Sequence, residues 1–387
     1  MHSIAKLKSL KKKIASYRLT KIFVIFVFFF GISLPTFSQK NPEKQDAVDS
    51  EKSLEDSENK EISKIKKPNE KKLTPEQLTK KKEILEKILK FGSTKERKEA
   101  LRELWNFPKE YSSDLYKVLP ELLNEDPDIS IKIATIKTIS ELELTSENKS
   151  IINSLSNESD DVKEAAVYAI HKLKIDEACT NLLDILKSKD FSKNTNLTSS
   201  IISTLGELPG GKNAYQFLEA KFIDKTSNAD IRAQIVLFFG KIKDLRSEKI
   251  LLEAVENEDE EIVIRAYSMN SLGKINSQSS IAPLKKILKK IKEVKGKAEI
   301  KKYSPLKIYG ISALALLGDK DILKELFVYA KDDDTNVRIR AIKQLGEIKS
   351  KEALELLEYK AKRDPSPKVQ AAAKKAIEEI NGTTEKK

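Results

Sequence analysis

The chain has 387 residues, of which 34% are charged and 39% apolar, with only 12 glycines and 12 prolines. This balance favours a helical protein over a sheet-rich one. A single cysteine, Cys179, excludes an intrachain disulfide and a metal site built from cysteines. Of the formal charge of +12, seven positive charges lie in residues 1–38, which contain no acid, so the rest carries only +5. That positive surplus is too small to indicate a nucleic acid partner.

The N-terminal residues look like a targeting segment. A basic stretch ends at Lys21, the apolar run "IFVIFVFFFGISL" follows, and small residues stand at both cleavage positions of "TFS" before Gln39. This order is typical of a signal peptide. Residues 1–38 are therefore predicted to be a signal peptide or an N-terminal membrane anchor. Either one places the rest of the chain outside the cytoplasm, in the periplasm or cell envelope.

Residues 39–73 are predicted to be a disordered charged linker. Acids and bases nearly alternate there, and no aromatic residue occurs between Phe37 and Phe91. Such a segment can bury little apolar surface. Residues 383–387 are predicted to be a disordered tail.

Ordered structure is expected from residue 74. Thr74, Pro75 and Gln77 form the pattern of a helix N-terminus with a capping box. Ile84, Leu85, Ile88 and Leu89 then supply one apolar face. Gly92 can end this helix, and "STKE" at 93–96 opens the next helix with a second capping box.

From here the sequence repeats itself. Each copy has an anchor residue, position 0, followed by apolar residues at positions 4, 8 and 11, as in "NVRIRAIKQLGEI" at 336–348. Position 9 is glycine in five copies, which lets a neighbouring helix approach. The anchors are Ile131, Val162, Leu197, Ile231, Ile264, Tyr309, Val337 and Val369, with a weaker one at Glu96.

The spacings between anchors are 31, 35, 34, 33, 45, 28 and 32 residues. Another amphipathic helix precedes each anchor, and the turns between the two helices are acidic. A period near 33 with two helices per unit indicates a stacked solenoid.

The pattern resembles HEAT repeats, especially the short bacterial type found in phycobilin lyases. An acid before the second helix, Val or Ile followed by Arg or Lys, an Ala and a closing "LG" carry the resemblance, most clearly in "KDDDTNVRIRAIKQLGEI" at 331–348. The resemblance covers roughly 94–381. It implies an all-α fold, a right-handed α-α superhelix of about 8–9 helix pairs over residues 74–382.

The resemblance also implies a structural ladder, in which the base at position 1 reaches an acid of the turn between helices. The bases are Lys132, Lys163, Arg232, Arg265, Arg338 and Lys368, and the acids are Asp128, Asp160, Asp230, Asp259, Asp334 and Asp364. The alternative is an anion-binding stripe. Thr198 and Gly310 interrupt the bases, which suggests a local bend of the superhelix.

No catalytic site is predicted. HEAT-like hydroxylases bind two irons through repeated His-Glu pairs, whereas this chain has only His2 and His171. Cys179 continues an apolar stripe with Leu182, Leu183 and Leu186, so it is expected in the core. We therefore predict no enzyme activity, no metal and no cofactor.

Two surfaces are candidate binding sites. The segment 284–302 carries a lysine cluster that could hold an anionic lipid or acidic polymer; its members are Lys285, Lys286, Lys289, Lys290 and Lys292. In "IVLFFG" at 235–240, Leu237 is expected to face outward, with Tyr168 and Tyr267 on the same face. The function indicated is an exported scaffold or adaptor that binds proteins, with a binder of anionic lipid or polymer as the alternative.

Overall fold

The computed structural model describes residues 73–382, and this part of the chain is helical, with no β-strand in it. The predicted all-α solenoid is confirmed. The predicted segments 1–38 and 383–387 and nearly all of 39–73 lie outside the described residues. No helix within residues 73–382 is both long and apolar enough to cross a membrane.

The helices alternate between two layers. The first helices of the pairs form one layer, in which α3 and α4 together make one member; they are α1 (Pro75–Phe91), α3 (Lys109–Tyr116), α4 (Leu119–Asn124), α6 (Asn148–Asn153), α8 (Cys179–Lys187), α10 (Tyr215–Ile223), α12 (Glu248–Glu256), α14 (Ile281–Lys292), α16 (Lys324–Tyr329) and α18 (Leu354–Arg363).

The second helices form the other layer. They are α2 (Thr94–Glu103), α5 (Ile129–Glu141), α7 (Asp160–Leu173), α9 (Asn196–Leu205), α11 (Ala229–Ile242), α13 (Ile262–Lys274), α15 (Lys297–Leu316), α17 (Thr335–Glu347) and α19 (Pro367–Asn381). Each second helix packs against the next one, whereas first helices pack mainly on the second helix of their own pair. The second helices are therefore the inner layer of the stack.

The N-terminus of the stack begins as the sequence predicts. Thr74 and Gln77 form a capping box at α1, and Ser93 and Glu96 form another at α2. Gly92 ends α1, although with extended rather than left-handed backbone. The expected apolar face is partly wrong, because Ile84 is 56% exposed while the neighbouring leucines are buried.

Small residues set how closely the second helices approach. A Cβ built on Gly273 would lie 2.7 Å from the Cα of Ala313, and one on Gly346 would lie 2.9 Å from the Cα of Ala376. A Cβ on Gly240 would lie 3.1 Å from the Cα of Ser271. In each case position 9 of one repeat meets position 7 of the next. The predicted role of these glycines is therefore confirmed.

The exit from the second helix is a recurring turn that sequence analysis missed. Position 12 has a left-handed backbone in five repeats, at Glu143, Lys174, Lys243, Asn276 and Lys349. In four of these repeats the amide at position 13 then donates to the carbonyl of position 8, with N–O distances of 3.0–3.2 Å. This bond satisfies a carbonyl at the helix end.

This turn corrects the register of one repeat. Gly318 has φ +106°, a Cβ built on it would meet nothing within 4 Å, and the amide of Asp319 donates to the carbonyl of Leu314. Gly318 is therefore position 12, and the anchor is the fully buried Leu306 rather than Tyr309. Its Ala313 then takes position 7 opposite Gly273, as in the other repeats. Lys307 becomes the base at position 1, so Gly310 is no interruption of the basic ladder.

The corrected register shows where residues are inserted. Other second helices begin about two residues before the anchor, whereas α15 begins at Lys297, nine residues before Leu306. Pro305 lies inside α15 at the point where the other second helices start. The long anchor spacing thus adds two helical turns to the start of α15.

The close packing predicts opposite effects of the same substitution at two glycines. Gly273→Ala should lower stability by about 1–3 kcal/mol, because its Cβ meets the backbone of α15. Gly206→Ala meets mainly the flexible side chain of Lys241, so it should be neutral or stabilise by up to about 1 kcal/mol. Urea unfolding of both variants, followed by circular dichroism, measures the difference. Equal destabilisation would contradict the close approach at Gly273.

Candidate protein-binding face

The bases at position 1 of the second helices hold neighbouring helices together. Lys132 donates to the carbonyl of Asn124 (2.8 Å), Arg232 to that of Phe222 (2.9 Å) and Arg265 to that of Val255 (3.1 Å). Each of these carbonyls lies at or near the end of the preceding first helix, where no intrahelical donor remains. The base therefore closes its own helix pair.

Three arginines at position 1 also reach the next repeat, among them Arg97, which follows the weaker anchor Glu96. Arg97 pairs with Asp126, Arg232 forms two bonds to Glu260 (2.9 and 2.6 Å), and Arg338 forms two bonds to Asp364 (both 3.1 Å). The three carboxylates are buried. The ladder predicted from the sequence is thus structural, but its acids are in part different ones.

Several predicted acids have other partners. Asp128 and Asp334 cap the second helices that follow them, while Asp230 accepts from Asn194. Asp160 does pair with Lys163, at 3.1 Å in the same helix turn. Two acids of these turns, Glu260 and Asp364, are buried beside arginines.

Charged residues at position 10 form a second ladder on the inner layer, which sequence analysis missed. Lys172 pairs with Glu141 (2.7 Å), and Lys241 pairs with Glu207 (3.0 Å). Desolvation opposes ionisation of Glu207, but Lys241 and Lys174 outweigh it and hold its pKa at about 2. The regular spacing of position 10 was the signal available in the sequence.

The inner ladder skips one repeat. Leu316 occupies position 10 of the repeat anchored at Leu306 and carries no charge. Lys274 of α13 instead reaches Glu347 of α17, at 3.2 Å, and Asn270 donates to the same carboxylate at 3.2 Å. The inner layer between α13 and α17 is therefore joined by polar side chains that pass over α15.

Aromatic residues lie beside this crossing. Tyr267 and Tyr309 both occupy position 3, and their rings meet edge to face with centroids 5.4 Å apart. Burial raises the pKa of both phenols. Tyr267 is only 8% exposed, so the prediction that it projects freely from the surface is wrong. Its ring packs against Tyr309 within the inner layer instead.

The other two predicted contact residues are partly exposed. Leu237 is the one residue of 231–240 that is not buried, as expected of an outward-facing position on α11. Tyr168 is half-buried, and burial raises the pKa of its phenol beside Lys172 and Glu141. Phe238 is fully buried and belongs to the core.

The lysine cluster is largely engaged in ion pairs between repeats. Lys285 pairs with Asp319 (2.8 Å), Lys292 with Glu325 (2.7 Å) and Lys290 with Glu258. Lys286 and Lys289 are exposed on the same helix, α14. Three of the five predicted lysines therefore bridge α14 to its neighbours.

Comparison with known proteins identifies the repeat. Residues 304–378 match the family model for HEAT repeats. The chain therefore contains HEAT repeats. The match begins at the repeat anchored at Leu306 and includes α17 and α18. It therefore contains Glu347, which Lys274 and Asn270 of α13 contact.

Three solved structures are similar in fold, each with 14% identity. The phycocyanin lyase complex of CpcE and CpcF from Nostoc sp. PCC7120 has a TM-score of 0.37 and covers 74% of this chain and 98% of that chain. Karyopherin Kap121p bound to the extreme C-terminus of the phosphatase Cdc14p has a TM-score of 0.44, and the match covers 80% of this chain and 38% of the karyopherin. Human deoxyhypusine hydroxylase has a TM-score of 0.31, and the match covers 71% of this chain and 98% of the hydroxylase. A search of curated protein sequences finds no match.

The cysteine and the histidine within residues 73–382 lie in helices of the stack, Cys179 in α8 and His171 in α7. Cys179 is buried, and burial and Asp176 raise the pKa of its thiol to about 12, so it is protonated at neutral pH. His171 lies 3.6 Å from Glu207, and burial lowers the pKa of its imidazole. Across residues 73–382 no three His, Cys, Asp or Glu side chains are grouped to hold a metal.

The Arg232–Glu260 pair predicts a pH-dependent stability. Burial alone would raise the pKa of Glu260, but hydrogen bonds from Arg232 and Lys225 outweigh it and lower the pKa from 4.5 to about 2. This stabilisation is complete above pH 4.5 and is lost as pH falls through about 2. The melting temperature should therefore fall more steeply over this range in the wild type than in Glu260→Gln.

At neutral pH, Glu260→Gln should lower the free energy of unfolding by about 3–5 kcal/mol, because Arg232 stays buried without its carboxylate. Glu253→Gln removes a carboxylate that is 65% exposed and serves as the matched control. It should melt and respond to acid as the wild type does. A Glu260→Gln variant that behaves like this control would refute the role of the buried pair.

Proposed function

We propose that this chain is an exported, non-enzymatic scaffold that binds protein partners along the inner layer of its HEAT repeats. The HEAT solenoid is a fold typical of protein-interaction scaffolds, because stacked repeats form an extended face lined by successive helices. The inner layer runs through all nine second helices of the described part. Export rests on the N-terminal sequence pattern alone.

The observation that carries the proposal is the composition of the inner layer. It combines a charged ladder at position 10 with the partly exposed Tyr168 and Leu237 at position 6. Protein-binding surfaces often combine anchoring aromatic or aliphatic side chains with a polar surround. The position 1 arginines Arg232, Arg265 and Arg338, by contrast, are buried and offer little to a partner.

Capture of partners from the producing cell tests this face. Leu237→Glu should abolish or strongly reduce recovery of defined proteins in a crosslinking pull-down, because it places a charge at the apolar contact. Val328→Glu, at a 68% exposed site on the outer helix α16, is the matched control and should bind normally. Circular dichroism checks that both variants fold, and Leu237→Gln replaces the first if its melting temperature drops.

Recovery that is unchanged by Leu237→Glu and Leu237→Gln would contradict binding through this part of the inner layer. The mass of the N-terminus of the same purified protein tests export. Loss of residues 1–38 indicates cleavage, and a full-length chain in the membrane fraction indicates an anchor.

A second candidate function is binding of anionic lipid through α14, which Lys286 and Lys289 favour because both are exposed beside ion-paired neighbours. Lys286→Gln with Lys289→Gln should then weaken sedimentation with phosphatidylglycerol vesicles by roughly 10- to 30-fold, at about 1 kcal/mol for each lysine. Lys249→Gln with Lys324→Gln removes two exposed lysines from other outer helices and should have little effect. Equal losses, or no binding by the wild type, would exclude this function.

A further inference from the structure

The carboxylate of Glu347 lies at the centre of a set of hydrogen-bond donors. Its Oε2 atom accepts from Asn270 Nδ2, Gln344 Nε2 and Lys274 Nζ, each at 3.2 Å. The first and third donors come from α13, two repeats away from the end of α17 that carries Glu347. Three donors from two helices thus converge on one carboxylate oxygen.

The two amides are oriented by this carboxylate. Turning either amide over would point its carbonyl at the carboxylate, so the orientation with nitrogen inward is fixed. The cost is that Asn270 Oδ1 and Gln344 Oε1 are buried without a hydrogen-bond partner. Asn270 is 1% and Gln344 2% exposed. A buried polar atom without a partner destabilises the fold, so this arrangement presents donors at the expense of stability.

The surroundings carry an excess of positive charge. Arg340 and Lys343 of α17 and Lys375 of α19 lie around the site with Lys274, and the nearby acids are Glu347, Glu379 and Asp230. Desolvation, together with the nearby Lys375, lowers the pKa of Lys343, although its side chain reaches solvent. Desolvation likewise raises the pKa of Glu379. Lys343 and Glu379 are therefore partly desolvated by the surrounding protein.

Glu347 is the last residue of α17, and its side chain is 35% exposed. It can rotate away from its donors without unfolding a helix. A carboxylate from another molecule can then take its place and interact with the four cations Lys274, Arg340, Lys343 and Lys375.

We propose that Asn270, Lys274 and Gln344 form a binding site for a carboxylate side chain of an acidic protein segment, which Glu347 occupies when no partner is bound. Arg340, Lys343 and Lys375 attract further acids of the same segment. Glu347 acts as an internal competitor and keeps the affinity low until an acidic segment displaces it. This site rests on the proposed scaffold function and names the chemistry of its partner.

The proposal predicts opposite effects for two substitutions at one site. A fluorescein-labelled peptide of alternating Gly and Glu should bind the full chain, and its Gln counterpart should bind at least about 10-fold more weakly. Glu347→Ala should tighten binding of the Glu peptide by about 3- to 10-fold, because it removes the competitor. Lys343→Gln with Lys375→Gln should weaken it by about 10-fold or more.

Glu347→Gln retains the size of the side chain and should also tighten binding, which protects the test if Glu347→Ala lowers the melting temperature. Lys249→Gln with Lys324→Gln makes the same change of charge on outer helices and should leave the affinity unchanged. Fluorescence anisotropy at two salt concentrations measures all of these, and binding should weaken with salt.

The site is excluded if the Glu and Gln peptides bind alike, or if neither binds the wild type or Glu347→Ala. It is also excluded if both Glu347 variants weaken binding while folding normally. The two proposals fail in distinguishable ways. A pull-down that recovers partners regardless of the Glu347 and lysine variants would keep the scaffold function and reject this site, whereas no recovery at all would reject the scaffold.

Discussion

The close stacking of second helices is the constraint on which the rest of this structure depends. At three steps a glycine at position 9 faces position 7 of the next repeat, and an added Cβ would lie within 3.1 Å of a Cα atom there. A helix pair alone cannot bury its apolar face, so each repeat completes the core of its neighbour. Because these steps fix the spacing, every position of the repeat recurs as a row across the stack.

These rows divide the polar residues into two ladders with different physical roles. The arginines Arg232, Arg265 and Arg338 at position 1 are buried between helices, where they bind carbonyl ends or the carboxylates of the next turn. The charges at position 10 lie on the inner layer and remain accessible to solvent. The first ladder joins neighbouring helices and repeats. The second links side chains that are partly exposed on the inner layer.

Much of the fold could be predicted from periodicity, because burial of positions 0, 4, 8 and 11 leaves a strong pattern. The two capping boxes were also readable, since each depends on neighbours in sequence, and the position 9 glycines were readable because glycine recurs there in several repeats. The anchor at Tyr309 was wrong because the left-handed turn at position 12 accepts Glu, Lys and Asn as well as Gly. Gly318 therefore looked like a packing glycine although it ends the helix.

The ladder partners could not be predicted for a different reason. Adjacent acids such as Asp259 and Glu260 differ in which side chain points toward the arginine of the preceding repeat. The sequence shows two neighbouring carboxylates and does not show this direction. Pairs separated by one repeat were equally hidden. Asn270 and Glu347 are 77 residues apart, and nothing local links them. Burial of Tyr267 was missed because its ring packs on Tyr309, whose register had been misassigned.

The register of the repeat anchored at Leu306 also explains why the carboxylate site arises where it does. A charged residue at position 10 would have continued the inner ladder and paired with Lys274, as Lys172 pairs with Glu141. Leu316 stands there instead, so Lys274 has no partner in α15 and extends to α17. The two extra turns of α15 are placed at its other end, away from this crossing. A single apolar residue in an otherwise charged row therefore brings donors of two distant repeats onto one carboxylate.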